Sequence, residues 1–449
     1  MKKFKYTILS VLLLTFIFTG CDDVLDVELD DEIRSTEAIT DDISLRSAVI
    51  GLYDIMQSGT YYGGEFIMAQ ALTGGIADAT GFRERFAQLD EAVIPASSAY
   101  IESNWVDIYA LVNSSNLVFD KMEELGLEND NAAGSAHFFR ALGLFDALRQ
   151  FGKFTENDSP YGIPVFTDYV NVNAALEIPR SSVAASYAQI ISDLETAIEL
   201  LVYDEDKFMV SKATAEALLA RVYLYQGNYV MAEELATSVI ENPDYALNSD
   251  YNEIYETEGS AEAIFELQFT EIDGNSLTEY FSISPPEVSA NYDDFFQPMD
   301  ADDDPRSYLY YDNGRVVFVD KYGTNDGVLG GNAILFRLSE MYLIRAEARA
   351  RQNPDDLEMA IEDLNEVRTR SLPDMPVIAE EVAGFSDFVD ILLEERAREL
   401  AFEGHRWFDI VRLDRAEAIL GIESFRTVYP IPQREIAISG GVIEQNPGY

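Results

Sequence analysis

Residues Lys212 to Asn242 constrain the fold more tightly than any other stretch of this chain. Leu219, Ala220 and Tyr223 recur at the spacing of one helix face, Gly227-Asn228-Tyr229 interrupts them, and Ala232, Ala236 and Val239 resume the period. Small residues let two helices pack closely, and glycine permits a tight reversal between them. The offsets match a tetratricopeptide unit. Ile190, Leu194 and Ala197 fit the second helix of another unit whose first helix is Ala136 to Phe151, and Leu338 to Arg351 pairs with Leu357 to Arg370 across Asn353-Pro354. No single hairpin of this kind buries its own apolar face, so the units must stack into one continuous core. The predicted fold is mainly α: a tetratricopeptide-like helical hairpin stack with long loop-rich insertions and a few short strands.

Leu392 to Arg415 reads as one long helix that closes the stack. Leu393, Ala397, Leu400, Ala401, Gly404, Phe408 and Val411 fall on one face, with Glu394 to Arg398 and Asp409 to Arg412 on its flanks. Five arginines, Arg396, Arg398, Arg406, Arg412 and Arg415, gather here among carboxylates, which predicts bidentate pairs inside a helical core. At the other end of the chain, Ile43, Ala48, Leu52 and Ile55 place a helix from Asp42 onward. A further helix begins near Asn104, with Trp105 and Tyr109 as core partners.

Two segments break the helical period, at about 58–103 and 243–335. The second holds strand-like runs at Ala263 to Thr270 and Arg315 to Asp320. Both collect aromatic residues beside polar ones. Rings in loops between polar residues suit the apolar faces of sugar rings, whose hydroxyls bond to neighbouring Asp, Asn and Arg. The alternative use of the same rings is a satellite core beneath the loops.

The N-terminus has the form of a lipoprotein leader. Lys2, Lys3 and Lys5 precede an apolar run from Tyr6 to Thr19, and Gly20 stands before Cys21, the chain's single cysteine. One cysteine excludes an intrachain disulfide and any multi-thiolate metal site. The expected organisation is a signal peptide over 1–20, an acidic tether over 21–40 starting at a lipidated Cys21, and one domain over 41–449.

With 81 acidic against 31 basic residues the net charge is −50, and no basic stripe exists to hold nucleic acid. The same field favours a neutral over a strongly anionic polysaccharide, although a local arginine pocket could override it. Asp300, Asp302, Asp303 and Asp304 resemble a calcium loop, but Pro305 stands where the turn glycine belongs and no closing Glu follows. His137 and His405, the only histidines, support neither a metal centre nor a nucleophile relay. No cofactor is expected.

The run from EERARELAFEGHRWFDIVRL to the C-terminal YPIPQREIAISGGVIEQNPGY resembles the closing segment of the SusD/RagB family. RLSEMYLIRAEARAR (Arg337 to Arg351), YGIPVFTD (Tyr161 to Asp168) and IPRSSVAASYAQIISDLETAI (Ile178 to Ile198) extend the likeness over most of the chain. The resemblance implies a non-catalytic, lipid-anchored protein on the outer-membrane surface that captures an oligo- or polysaccharide and hands it to a TonB-dependent, SusC-like porin. Asp22 and Asp23 after the cysteine resemble a surface-export signal. Asp78, after GGIA, sits where the resemblance puts a polar contact of the first loop. With it, the expected ligand residues are Tyr61, Tyr62, Phe82, Arg83, Tyr280, Tyr292, Phe295 and Phe296, chosen by their chemistry. The competing reading is a surface glycoside hydrolase with a carboxylate pair on the helical scaffold.

Overall fold

Side-chain caps open several of the helices in the computed structural model, which describes residues 38–270, 274–282, 286–322 and 331–449. Cys21, the leader and most of the tether lie outside the described residues. Asp41 begins the compact unit Asp41–Tyr449 and caps α1 (Asp42–Met56): its carboxylate accepts from Ser44 N, and its own N–H donates to the Ser44 hydroxyl. The buried stripe of α1 is Leu45, Val49, Leu52, Tyr53 and Met56. Ile43, expected inside, is exposed, because the stripe that meets the next long helix runs through Leu45, Val49, Leu52 and Met56, and Ile43 lies off it.

The segment expected to be loop-rich holds α2 (Glu65–Thr73), β1 (Ala77–Ala79) and α3 (Glu84–Asp90). Every residue of α2 is buried. A helix enclosed on all sides needs no amphipathic period, so EFIMAQALT carries none to read. Five helices then pack each on the next: α4 (Ala99–Leu125), α5 (Asp130–Phe151), α6 (Val183–Leu200), α7 (Lys212–Gln226) and α8 (Tyr229–Ile240). Trp105 on α4 is buried, its ring 4.7 Å from Tyr109 and 5.0 Å from Phe151. Between α7 and α8 Gly227 takes φ +89°, and Asn228 caps α8 through Met231 N.

The second insertion supplies β2 (Ala263–Leu267), α9 (Ser276–Phe281), β3 (Val288–Ala290), β4 (Tyr310–Asp312), β5 (Val317–Val319) and β6 (Ala333–Arg337). β2 and β6 form an antiparallel pair, and a four-stranded sheet runs in the order β1-β3-β5-β4. The repeats resume with α10 (Leu338–Gln352) against α8 and α11 (Glu358–Ser371) against α10. Then α12 (Phe385–Glu399) covers both, with Phe388 and Leu392 packed among Leu343, Leu364 and Val367.

The closing stretch is not one helix. It stops at Glu399, turns through Phe402 (φ +61°) and Gly404 (φ +85°), and resumes as α13 (Arg406–Arg412). Carbonyls that would continue the helical ladder are taken by side chains of the insertion: Arg337 donates to Glu399 O, Lys321 to Ala401 O at 2.9 Å and the Tyr322 hydroxyl to Phe402 O at 2.7 Å. Two flanking pairs do form, Arg398 with Glu394 and Arg412 with Asp409, each at 2.7 Å.

A buried ionic cluster ties the insertion to the stack. Arg306 reaches Asp304, Glu395 and Glu399; Arg337 reaches Glu262, Glu399 and Glu403; Arg370 reaches Glu262 and Glu399. Every one of these carboxylates is buried, so removing any one partner leaves a charge uncompensated in a dry site. The insertion is therefore fixed to α11 and α12, and what it displays outward is held rigidly.

Candidate functional site

The two insertions meet in the four-stranded sheet. Ala77 opposes Ala290 and Asp78 opposes Ser289; Ala290 opposes Val317, and Tyr311 opposes Phe318. Side chains alternate along a strand, so this register divides the sheet into two faces. Ala77, Val288, Ala290, Val317, Val319 and Tyr310 form the buried face. Asp78, Phe318 and Tyr311 share the other, where Tyr311 is 65 % exposed and its ring lies 6.0 Å from that of Phe318. At about 4.8 Å per strand, Asp78 and Tyr311 stand roughly 14 Å apart across the sheet, the reach of a short oligosaccharide.

Asn291 follows β3 and fastens one insertion to the other. Its N–H donates to Ile76 O at 2.9 Å, its amide nitrogen donates to Asp78 Oδ1 at 2.9 Å, and its amide oxygen accepts from Asp294 N at 2.8 Å. That last bond caps a π-type turn, Tyr292–Phe296. Turns of this kind re-aim side chains and recur at functional positions. Here it turns Tyr292 outward, 47 % exposed, and sends Phe295 and Phe296 inward. The ring of Tyr292 lies 6.0 Å from Phe296, and Phe295 lies 5.5 Å from Tyr310 and 5.7 Å from Phe402. Phe295 and Phe296 thus form the satellite core on which Tyr292 rests; neither is free to stack on a ligand.

Three more of the expected ligand residues belong to packing. Tyr61 and Tyr62 are buried and donate to Asp146, which also binds Arg149, and burial together with that carboxylate holds both phenols well above their ordinary pKa. Tyr280 is buried beneath Arg83, and its hydroxyl donates to Glu65. Arg83 is half-buried over the rings of Phe86 and Tyr280 and pairs with Glu279 and Glu287. Phe82 projects fully into solvent, and Asp78 lies on the open face of the sheet. Phe82, Asp78 and Tyr292 are therefore the expected residues with ligand-accessible atoms, and Arg83 is partly so.

Sequence reasoning passed over a cavity of about 400 Å³ at the same junction. Ile76, Phe295, Pro298, Leu393, Ala397 and Ile419 give it apolar walls. Asp294, Asp390, Glu394, Arg398, Arg406 and Arg415 supply its charged groups. A period-based reading assigns the apolar side chains of α12 to the core, so nothing in the sequence marks Leu393 and Ala397 as lining an opening. Tyr308 and Tyr311, which are not among the expected ligand residues, are exposed.

The acidic run is committed elsewhere: Asp304 binds Arg306 and Asp302 binds Arg398. Among the described residues no group of His, Cys, Asp and Glu has the geometry of a metal centre. His137 bonds to Asp193. His405 is buried, and burial beside Arg221, Arg396 and Arg149 holds its pKa well below the ordinary value. No described helix is long and apolar enough to cross a membrane.

Two family models match the chain. The model of the SusD family covers residues 284–427, and a SusD-like model described as "Starch-binding associating with outer membrane" covers residues 23–224. SusD-like proteins P2 and P38 of Formosa agariphila are 27 % and 24 % identical to the chain, each over the full length of both. Crystal structures of SusD superfamily proteins from Bacteroides thetaiotaomicron (25 % identity, TM-score 0.81) and Bacteroides vulgatus (26 %, TM-score 0.80) align over 90 % and 91 % of this chain and 99 % of theirs. A laminarin-binding SusD-like protein shares the fold at 22 % identity and TM-score 0.76, over 92 % of this chain and all of its own. With the helical stack and its insertions matched in this way, the chain is similar over most of its length to the SusD/RagB family, whose models, relatives and solved structures include carbohydrate-binding, outer-membrane-associated proteins.

Proposed function

We propose that the chain captures an oligo- or polysaccharide on the face where its two insertions meet and passes it to a TonB-dependent, SusC-like transporter in the outer membrane. The observation that carries this reading is Tyr292: a half-exposed ring seated on a fixed aromatic base, next in the chain to the Asn291 that holds Asp78 and two residues before Asp294 of the cavity lining. Sugar rings are held by flat apolar surfaces flanked by hydrogen-bonding groups, and preorganising such a surface lowers the entropy lost on binding. Tyr311 and Phe318 extend the surface across the sheet, and Phe82 offers a further ring at the edge of the first insertion.

The reading is of binding without catalysis. The carboxylates buried with arginines in the core have no access to a substrate. A reducing-sugar assay over a panel of starch, laminarin and other β-glucans separates capture from hydrolysis: retarded migration in glycan-containing native gels without new reducing ends is the expected result, and release of reducing ends contradicts it.

Delivery requires a pore and an anchor. The expected outcome of mild solubilisation and pull-down from outer membranes is co-purification of a large β-barrel protein, and recovery of the chain alone, with and without glycan, contradicts the partnership. Cys21→Ala should free the protein from washed membranes, since acyl chains contribute about 0.8 kcal/mol per buried CH₂ and an acidic surface gains nothing from anionic headgroups.

A further inference from the structure

Most arginines among the described residues are paired with a carboxylate, which makes the state of Arg406 unusual. Of the three arginines that line the cavity between the π-type turn and α12, Arg398 is held by Glu394 at 2.7 Å and Asp302 at 2.8 Å, and Arg415 by Asp390 at 2.7 Å. Arg406 has no carboxylate within ion-pairing distance among the described residues. Among the described residues its one side-chain hydrogen bond runs from Nη1 to the Leu393 carbonyl at 3.4 Å, and its buried Nε has no partner. The carboxylates that bear on it electrostatically are spoken for: Asp409 binds Arg396 and Arg412, and Glu394 binds Arg398. Burial accordingly pulls its pKa below that of an ordinary guanidinium.

A guanidinium kept in such a site without a counter-charge costs free energy unless something completes it. A planar cationic fork is matched best by a carboxylate or a sulfate oxygen pair. The rest of the lining says what such an anion would be attached to. Ile76, Leu393, Ala397 and Ile419 give an apolar floor for a ring face, Asp294 at the rim accepts from hydroxyls, and about 400 Å³ holds one or two sugar rings. We infer that the cavity is a subsite for an acidic sugar, whose carboxylate or sulfate is received by Arg406. This rests on reading the face as carbohydrate-binding and sharpens it. The net charge of −50, taken alone, favours a neutral glycan. That long-range repulsion is screened within about 8 Å at physiological ionic strength, whereas a contact inside the cavity is not.

Calorimetric titration of the full chain with three probes tests the assignment: oligogalacturonate for a carboxylate, sulfated galactan oligosaccharide for a sulfate, and laminarin oligosaccharide as the neutral reference. The expected result is binding of one acidic probe that falls tenfold or more in Arg406→Gln and recovers in part in Arg406→Lys, with the neutral probe unaffected by either change. Which acidic probe responds identifies the group. Ile419→Trp, which fills the mouth from an exposed position, should block the same probe and keeps the test open should Arg406→Gln fail to fold. Neutral binding that depends on Tyr292, with no acidic probe bound or with acidic binding indifferent to both Arg406 and Ile419, overturns the subsite and leaves the wider reading standing. Absence of binding by all three probes overturns both.

Discussion

Asp146 is fully buried, and the hydroxyls of Tyr61 and Tyr62 together with Arg149 supply its hydrogen bonds. Tyr62→Phe removes one donor from that carboxylate and one of the two acceptors of Arg149 Nη2, the other being Asp146 Oδ1. The expected cost is about 1–3 kcal/mol of folding free energy, read by urea unfolding, with glycan affinity unchanged. A fall in affinity without loss of stability would return Tyr62 to the ligand set. Glu399 is a second residue whose charge is structural. Burial alone would raise its pKa, but Arg370, Arg337 and Arg306 outweigh burial and hold it far below the ordinary carboxylate range. The native state therefore binds fewer protons there than the unfolded chain. The stability from this group is complete above the unfolded pKa of about 4.3 and is lost as pH falls through and below it. Glu399→Gln should cost about 3–5 kcal/mol at pH 7, because three guanidiniums lose their common partner, and the deficit should narrow as pH drops below about 4. A deficit independent of pH would contradict the depressed pKa.

Two glycines separate backbone from packing at the level of elements. Gly227 ends α7 in the left-handed region, so Gly227→Ala should destabilise by about 1 kcal/mol although the space for a methyl is open. Gly51 lies inside α1 with open space around its Cα, so Gly51→Ala should stabilise by about 0.5–1 kcal/mol. Thermal melts of the two variants should move in opposite directions. The hairpins were legible because Leu219, Ala220 and Tyr223, then Ala232 and Ala236, repeat a helical period around a glycine, and local signals of that kind survive in any context. The break after Glu399 was not legible: Arg337, Lys321 and Tyr322, which take the freed carbonyls, lie more than 60 residues away in sequence. The same limit governed the site. Phe82, Tyr292, Phe295 and Phe296 all read as rings outside a helical period, and only the turn capped by Asn291 decides which of the last three faces water.

Across the whole molecule the cations are drawn inward. Arg149, Arg221, Arg306, Arg337 and Arg396 are buried with carboxylate partners, while much of the acidic excess remains outside. Surface self-repulsion is screened by salt and buried pairs are not, so the melting temperature should rise between about 0.05 and 0.5 M NaCl; a fall would mean that exposed ion pairs dominate. The insertions, fixed to the stack by the ionic cluster, carry the face proposed to meet the glycan, and that proposal makes opposite demands on adjacent rings. Paired glycan titrations and thermal melts of Tyr292→Ala and Phe295→Ala test it most directly. Tyr292→Ala should lose about 1–3 kcal/mol of binding, by analogy with bases stacked on aromatic rings, and keep its melting temperature, whereas Phe295→Ala should lose about 3–5 kcal/mol of folding stability. Unchanged affinity per folded molecule in Tyr292→Ala, for every glycan the parent chain binds, would contradict the placement of the site.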